Sequence, residues 1–252
     1  MHINNLLMLI IIFIYGICFG SFASVLIYRI PNNIYFIKGR SFCPHCKSKL
    51  KCIDLIPLYS FIKNKSTCKY CGVKIDNQYI IVELLSGIIF TMIYIKYGFN
   101  LLSVLYSLIS IIIIVIGYID YNTFNVYDNT IFILFVICLG VLVISDINIV
   151  NHLLSGFILS LPLYIITKLY QDSLGFGDIE IIFCLGVLFG FNQGFLLFFI
   201  SLVFGCFYGF YILYKNHNSS RHFAFGPCIC CAYFVVLFFG NNIVDYYFNL
   251  FI

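Results

Sequence analysis

Long apolar runs, each closed by a short polar break, divide the chain from end to end. The first run predicts a helix over about 6–28, and a polar stretch follows over about 29–79. Further helices are predicted over about 80–97, ending at Gly98-Phe99-Asn100, and about 101–119, ending at Asp120. Tyr121–Asn129 reads as a polar turn. Helices over about 130–145 and 150–169 are separated by Asp146-Ile147-Asn148. After Tyr170–Gly177 comes a short helix over about 178–190, stopped by Gly190-Phe191-Asn192, and then a helix over about 195–214. A connector, Lys215–Phe225, leads through Gly226-Pro227 to a last helix over about 228–248. Runs near 20 apolar residues match the thickness of a hydrocarbon layer. The pattern therefore predicts an all-α integral membrane protein of about eight transmembrane helices. Residues 1–28 form the first transmembrane helix, 29–79 a cytoplasmic loop, and 80–252 a seven-helix membrane core.

Composition supports this class. The chain has 252 residues, of which 62% are hydrophobic and only 10% charged, whereas soluble domains carry about 25% charged residues. No Lys or Arg precedes Arg29, so the first run lacks the basic start of a cleaved signal peptide and reads as a retained helix. Ten of the 14 Lys and Arg lie between Arg29 and Lys74. Cytoplasmic loops are enriched in such residues, which puts this loop inside and the N-terminus outside. Eight crossings then place the C-terminus outside and leave 13 of the 14 cations on the cytoplasmic side, Lys96 being the exception. The basic loop thus serves orientation, and no nucleic-acid partner is expected; the partner is the lipid bilayer.

Within that loop, Cys43-Pro44-His45-Cys46 and Cys68-Lys69-Tyr70-Cys71 are separated by 21 residues. Each C-x-x-C turn presents two thiolates to one side, and two such turns complete a tetrahedral sulfur site. Cys43, Cys46, Cys68 and Cys71 are therefore the expected ligands of a structural zinc ion, with His45 and Cys52 as competitors whose spacing fits less well. Four thiolates leave no open position for substrate, and metal binding would supply folding energy that so polar a loop lacks. The cysteines in the apolar runs read as small packing residues.

Asp120 and Asp178 stand at helix ends on the same expected cytoplasmic face, in a chain otherwise nearly emptied of charge. Ionisable groups at the edge of a hydrocarbon layer are functional candidates by default. If the two carboxylates meet, they can share one proton and activate water. Gly175 and Gly177 precede Asp178, and residues without Cβ allow close backbone approach.

Taken together, these segments resemble the prepilin peptidases, or type IV leader peptidases. Gly20-Ser21-Phe22-Ala23-Ser24-Val25-Leu26-Ile27-Tyr28-Arg29-Ile30-Pro31 is similar to that family's GSFxNVxIYRxP segment, and the double C-x-x-C loop is shared. Ile56-Pro57-Leu58-Tyr59-Ser60 resembles IPLLS, and Tyr79-Ile80-Ile81-Val82-Glu83-Leu84-Leu85 resembles YPxVELL. Asp120 to Asp128 keeps the spacing of DxDxxxxPD, Gly175-Phe176-Gly177-Asp178 matches GxGD, and Phe225-Gly226-Pro227 matches a late FGP. The departures are Ser24 for Asn, Asn122 for the second Asp, Tyr127 for Pro, Glu180 where a Lys often follows, and Ala224 for Pro.

The resemblance implies an aspartic endopeptidase of the bacterial inner membrane. Its catalytic pair would be Asp120 and Asp178, with Gly175 and Gly177 supporting. It would remove the basic leader from prepilin or pseudopilin precursors on the cytoplasmic side, in pilus assembly, type II secretion or DNA uptake. Members with the four-cysteine loop also methylate the new N-terminal amine, which would bring S-adenosylmethionine as cofactor and Glu83 as a candidate residue for methyl transfer. Glu83 reads equally as an interfacial carboxylate paired with a loop cation. Asp54, Asp76 and Asp128 are candidate partners for leader cations, or else solvated loop charges and helix caps. Two other classes compete: a proton- or ion-coupled transporter using the same aspartates, and a zinc-stabilised membrane scaffold without activity.

Overall fold

The computed structural model describes residues 2–35, 40–51, 54, 66–170, 175–215 and 223–250. Ile56–Ser60 and Cys52 lie outside the described residues. The described residues form seven helical elements: α1 His2–Arg29, α2 Gln78–Tyr97, α3 Leu101–Thr123, α4 Asp128–Ile144, α5 Ile149–Leu169, α6 Phe176–Lys215 and α7 Gly226–Asn249. All but α4 are long and apolar enough to cross a membrane, and α4 is a shorter apolar helix. Large apolar side chains such as Leu6, Phe132, Phe157 and Phe207 are exposed along these helices, which suits a lipid solvent. The all-α membrane architecture is as expected.

The chain packs as two units, Met1–Ser103 and Val104–Ile252. In the first, α1 lies against α2 along a seam of small residues. A Cβ at Gly16 would come within 2.7 Å of Gly87 Cα, and one at Gly20 within 2.8 Å of Glu83 Cα. Lipid tails are as apolar as Leu, so helices in a membrane associate by such close van der Waals contact rather than by hydrophobic burial. Ser24 lies on the same helix, buried, and bonds back to Gly20 O at 3.2 Å.

In the second unit α6 carries the decisive turn. Forty residues of straight helix would run about 60 Å, twice the hydrocarbon thickness. Instead Gly190 leaves the helical region, with φ 72° and ψ −171°. The arms 176–189 and 191–215 then double back on each other. A Cβ at Gly194 would lie 3.4 Å from Gly186 Cα, whereas eight residues span about 12 Å along a straight helix. The break expected at Gly190-Phe191-Asn192 is thus a reversal inside α6, and its two arms are the separate helices read from the apolar pattern.

Helix α5 holds the reversal. His152 Nδ1 is 2.8 Å from Val187 O, and the Ser155 hydroxyl lies 2.7 Å from both His152 O and Gly186 O. A Cβ at Gly156 would sit 2.7 Å from Val187 Cγ2. Helix α7 packs on α3 through the fully buried Tyr233, whose hydroxyl is 3.2 Å from Ser110 Oγ, and through Cys230 Sγ donating to Ile113 O at 2.9 Å.

Gly190 is the position where the reversal has no alternative residue. A Cβ there would be strained by the positive φ and would lie 2.9 Å from the His152 ring. Gly190→Ala is expected to destabilise the chain by about 1–3 kcal/mol, read as a lower melting temperature in detergent. Gly209→Ala, with open space around its Cβ, is expected to melt like the parent. Equal melting of the two variants would contradict this account of the turn.

Candidate active site and metal centre

The two cysteine turns of the first unit are built to one plan. Cys43 N–H donates to Ser48 O at 3.0 Å and Lys47 N–H to Cys43 O at 2.9 Å; Cys68 N–H donates to Val73 O and Gly72 N–H to Cys68 O, both at 2.8 Å. The fifth residue of each turn is left-handed, Lys47 with φ 57° and Gly72 with φ 70°. Isolated antiparallel bridges, Phe42 with Lys49 and Thr67 with Lys74, close the two turns. The result gathers the sulfurs of Cys43, Cys46, Cys68 and Cys71 within 4.8 Å of one another, with Cys43 and Cys71 at 4.0 Å. Zn–S bonds of about 2.3 Å in a tetrahedron put sulfurs about 3.8 Å apart, so the four thiols fit a zinc ion. His45 is exposed, and the cluster is complete without it.

The environment also prepares the sulfurs. The Ser48 hydroxyl, 2.7 Å from Cys46 Sγ, and then the Ser48 N–H hold the Cys46 thiol down to about 6. The Val73 N–H lowers Cys71, but desolvation and hydrogen bonds with Cys68, Cys46 and Cys43 push it up to about 11. Four crowded thiols cannot all ionise unless a cation neutralises them.

Arg29 ends α1 beside these turns and is only 4% exposed. It donates to Tyr35 O at 3.1 Å and Arg40 O at 3.2 Å, and its guanidinium lies 5.8 Å from the Phe42 ring centroid. The charge pattern reads Arg29 as one of many orienting cations; the structure makes it a buried anchor for the start of the loop. Glu83 is also buried, in α2. Asp54 accepts from Lys51 N–H at 3.1 Å and Tyr70 OH at 3.3 Å, and Asp76 accepts from Gln78 N–H at 2.9 Å at the start of α2. These two carboxylates serve local loop and helix-end contacts.

In the second unit, Asp120 and Asp178 are 5% and 7% exposed. Helix α3 does not stop at Asp120, as expected from the sequence, but runs on to Thr123. The reason is that Asp120 is not a solvated end: its Oδ2 accepts the Gly226 N–H at 2.8 Å. That N–H belongs to the first turn of α7, where backbone donors have no helical partner. Gly226 must be glycine for this approach, because a Cβ would lie 2.7 Å from Asp120 Oδ2 and 3.2 Å from its Cγ. Phe225, the preceding residue, is fixed under the second arm of α6, where Gly205 leaves room for its ring.

Asp178 sits in the first turn of α6, within electrostatic reach of Asp120. Cys228, one turn into α7, lies within electrostatic reach of both. Asp178 Oδ1 is buried without a hydrogen-bond partner among the described residues. Gly177 serves packing: a Cβ there would fall 2.4 Å from Val126 Cβ, in the turn that follows α3. At Gly175 the nearest atom to a Cβ would be Asp178 Oδ2, at an ordinary 3.5 Å. The motif's two glycines therefore differ in kind. Gly177 lets the α3–α4 turn close over the start of α6, which carries Asp178 to Asp120. Asp128 and Glu180 are exposed at the starts of α4 and α6.

Sequence reasoning identified both aspartates and left Gly226 without a role, since its partner lies 106 residues away. It read Cys228 as packing alone. The FGP segment was the available signal for both. Gly177→Ala is expected to lower the melting temperature of the detergent-solubilised chain by several degrees, corresponding to about 1–3 kcal/mol of overpacking. Gly175→Ala should leave it near the parental value. The reverse order would contradict the packing described.

Two family profiles match the chain: "Bacterial Peptidase A24 N-terminal domain" over residues 14–97 and "Type IV leader peptidase family" over residues 107–210. A Bacillus subtilis (strain 168) protein named prepilin leader peptidase/N-methyltransferase is 29% identical over 246 residues, 96% of this chain and 99% of the relative. A protein of the same name from Aeromonas hydrophila is 25% identical, covering 96% of this chain and 94% of the relative. One from Vibrio cholerae is 28% identical, covering 94% and 98%. No solved structure matches the chain significantly. With both profiles and full-length relatives in agreement along nearly all its residues, the chain belongs to the type IV leader peptidase family.

Proposed function

We propose that this protein is an aspartic endopeptidase of the bacterial inner membrane that cleaves the leader from type IV prepilin-like proteins. The observation that supports this reading is that two buried carboxylates, Asp120 on α3 and Asp178 on α6, lie within electrostatic reach of each other. Hydrolysis of a peptide bond needs one group to take a proton from water and another to protonate the scissile carbonyl. Two adjacent carboxylates sharing one proton supply both. Gly177 supports the pair by setting the entry of α6 against Val126, and Gly175 lies beside the Asp178 carboxylate. The substrate's leader is basic and precedes an apolar helix, so it would lie along the membrane edge where these helices start.

The charge distribution supports a cytoplasmic location for the zinc loop and the aspartate pair, with both termini outside. The four-cysteine cluster fits structural zinc held by Cys43, Cys46, Cys68 and Cys71. When bound, the ion would neutralise the thiolates and stabilise the loop's fold. The relatives' names include N-methyltransferase, and we extend that second activity to this chain, with S-adenosylmethionine as methyl donor and Glu83 as the residue to examine. The described residues beside Glu83 are packed helix against helix, without room for a methyl at Gly20. The α1–α2 seam itself, closed at Gly16, Gly20 and Gly87, leaves no space for that cofactor.

Three outcomes test this reading. Co-expressed with a prepilin, the parent should yield the shortened product, while Asp120→Asn and Asp178→Asn should each lose at least about 1,000-fold in cleavage rate. Processing left intact in both variants would sink the peptidase mechanism and favour a transporter or scaffold. The purified chain should carry one zinc ion, lost with a fall in melting temperature on chelation or in Cys43→Ser; a metal-free parent of equal stability would overturn the zinc assignment. The mature pilin's N-terminus should gain the mass of one methyl group when S-adenosylmethionine is supplied, and an unmodified amine would remove the second activity.

A further inference from the structure

Asp120 and Asp178 are chemically identical, but their surroundings are not. Asp120 Oδ2 accepts the Gly226 N–H at 2.8 Å, at the N-terminus of the 24-residue helix α7. A backbone donor there, aided by the helix dipole, favours a negatively charged acceptor. Asp178 also stands in a first helical turn, that of α6, with the Gly175 backbone beside its carboxylate, but its Oδ1 is buried with no donor among the described residues. A bare carboxylate oxygen in that position would carry the full desolvation cost of a charge, whereas a protonated carboxyl would not. Among the described residues, the other titratable groups within electrostatic reach of Asp120 are Asp178 and Tyr208 from α6, and Cys228 and Cys230 from α7. None of them is a cation.

We infer that Gly226 is a positioning residue for the reaction: its N–H fixes Asp120 and assigns it the negative charge, leaving Asp178 to carry the shared proton. This rests on the aspartic peptidase reading above. Asp120 then acts as the base. It takes a proton from water as the water oxygen bonds to the scissile carbon, and Asp178 gives its proton to the carbonyl oxygen. In the second half, Asp178 recovers that proton as the carbonyl re-forms. Asp120 passes its proton to the leaving amine as the C–N bond breaks. Protons and charge return to their starting places. Gly226 touches no reacting atom and acts only through Asp120.

The test uses full-length enzyme in detergent or lipid with a prepilin substrate. Gly226→Ala puts a Cβ against Asp120 Oδ2, so kcat should fall about 10- to 100-fold, the effect of a lost hydrogen bond to a charged group, with KM within about twofold. Gly209→Ala is the control for a cost-free methyl on α6. Parental kcat in Gly226→Ala would overturn the inference. So would a loss confined to KM. If Gly226→Ala does not insert or fold, the charge assignment is read from isosteric variants instead. Infrared titration of the carboxyl C=O band should show the lone Asp120 of Asp178→Asn ionising at lower pH than the lone Asp178 of Asp120→Asn. The opposite order would overturn it. Cleavage that survives in both Asn variants would fail the peptidase reading itself, an outcome separate from either of these.

Discussion

A carboxylate at the edge of a hydrocarbon layer persists only where the protein replaces the water it has lost. The arrangement of the second unit follows from that requirement. Asp120 is held by a backbone N–H at the start of α7, so α3 and α7 must meet with almost no space between them. Gly226 removes the side chain that would keep them apart, and Gly117 admits Cys230 on the same seam. Asp178 is delivered from a third helix whose start is tucked against the α3–α4 turn through Gly177 and Val126. Two expensive groups are thus placed together by backbone fit, and the titratable neighbours that the described residues give Asp120 are acids, a phenol and thiols.

Close approach is also how the helices hold one another. Between membrane helices, packing and hydrogen bonds do the work that water-driven burial does elsewhere. Gly16, Gly20 and Gly87 close the α1–α2 seam, and Gly156, Gly186 and Gly194 close the contact between α5 and the folded-back α6. The reversal at Gly190 matters to the site because it fixes the first arm of α6, whose N-terminal turn bears Asp178. His152 and Ser155 bond to the last carbonyls of that arm, replacing partners that the turn removes.

Much of this was legible in the chain. Apolar run lengths gave the helices, and Gly190-Phe191-Asn192 marked the break that becomes the reversal in α6. The C-x-x-C spacing gave the four-cysteine cluster because its geometry is local: each turn closes within six residues. What sequence could not provide is long-range partnership. Asp120 looked like a helix stop because an unpartnered aspartate would be one; the partner, Gly226, comes from a different helix. Arg29 looked like part of an orienting charge cluster, yet it is buried by carbonyls at Tyr35 and Arg40 that only the loop's path brings near. Gly177 was legible as a glycine that must be small. What it must be small for, Val126, was not.

The central claim is that Asp120 and Asp178 operate as one unit on one water molecule. The most direct measurement is the separation of their carboxylates in an experimental structure of the full chain in a lipid nanodisc. Two groups that both hydrogen-bond a single water have oxygens within about 6 Å of each other. That separation, with the Gly226 N–H still on Asp120, is the result expected. Carboxylates more than about 10 Å apart, with no shared water between them, would contradict it.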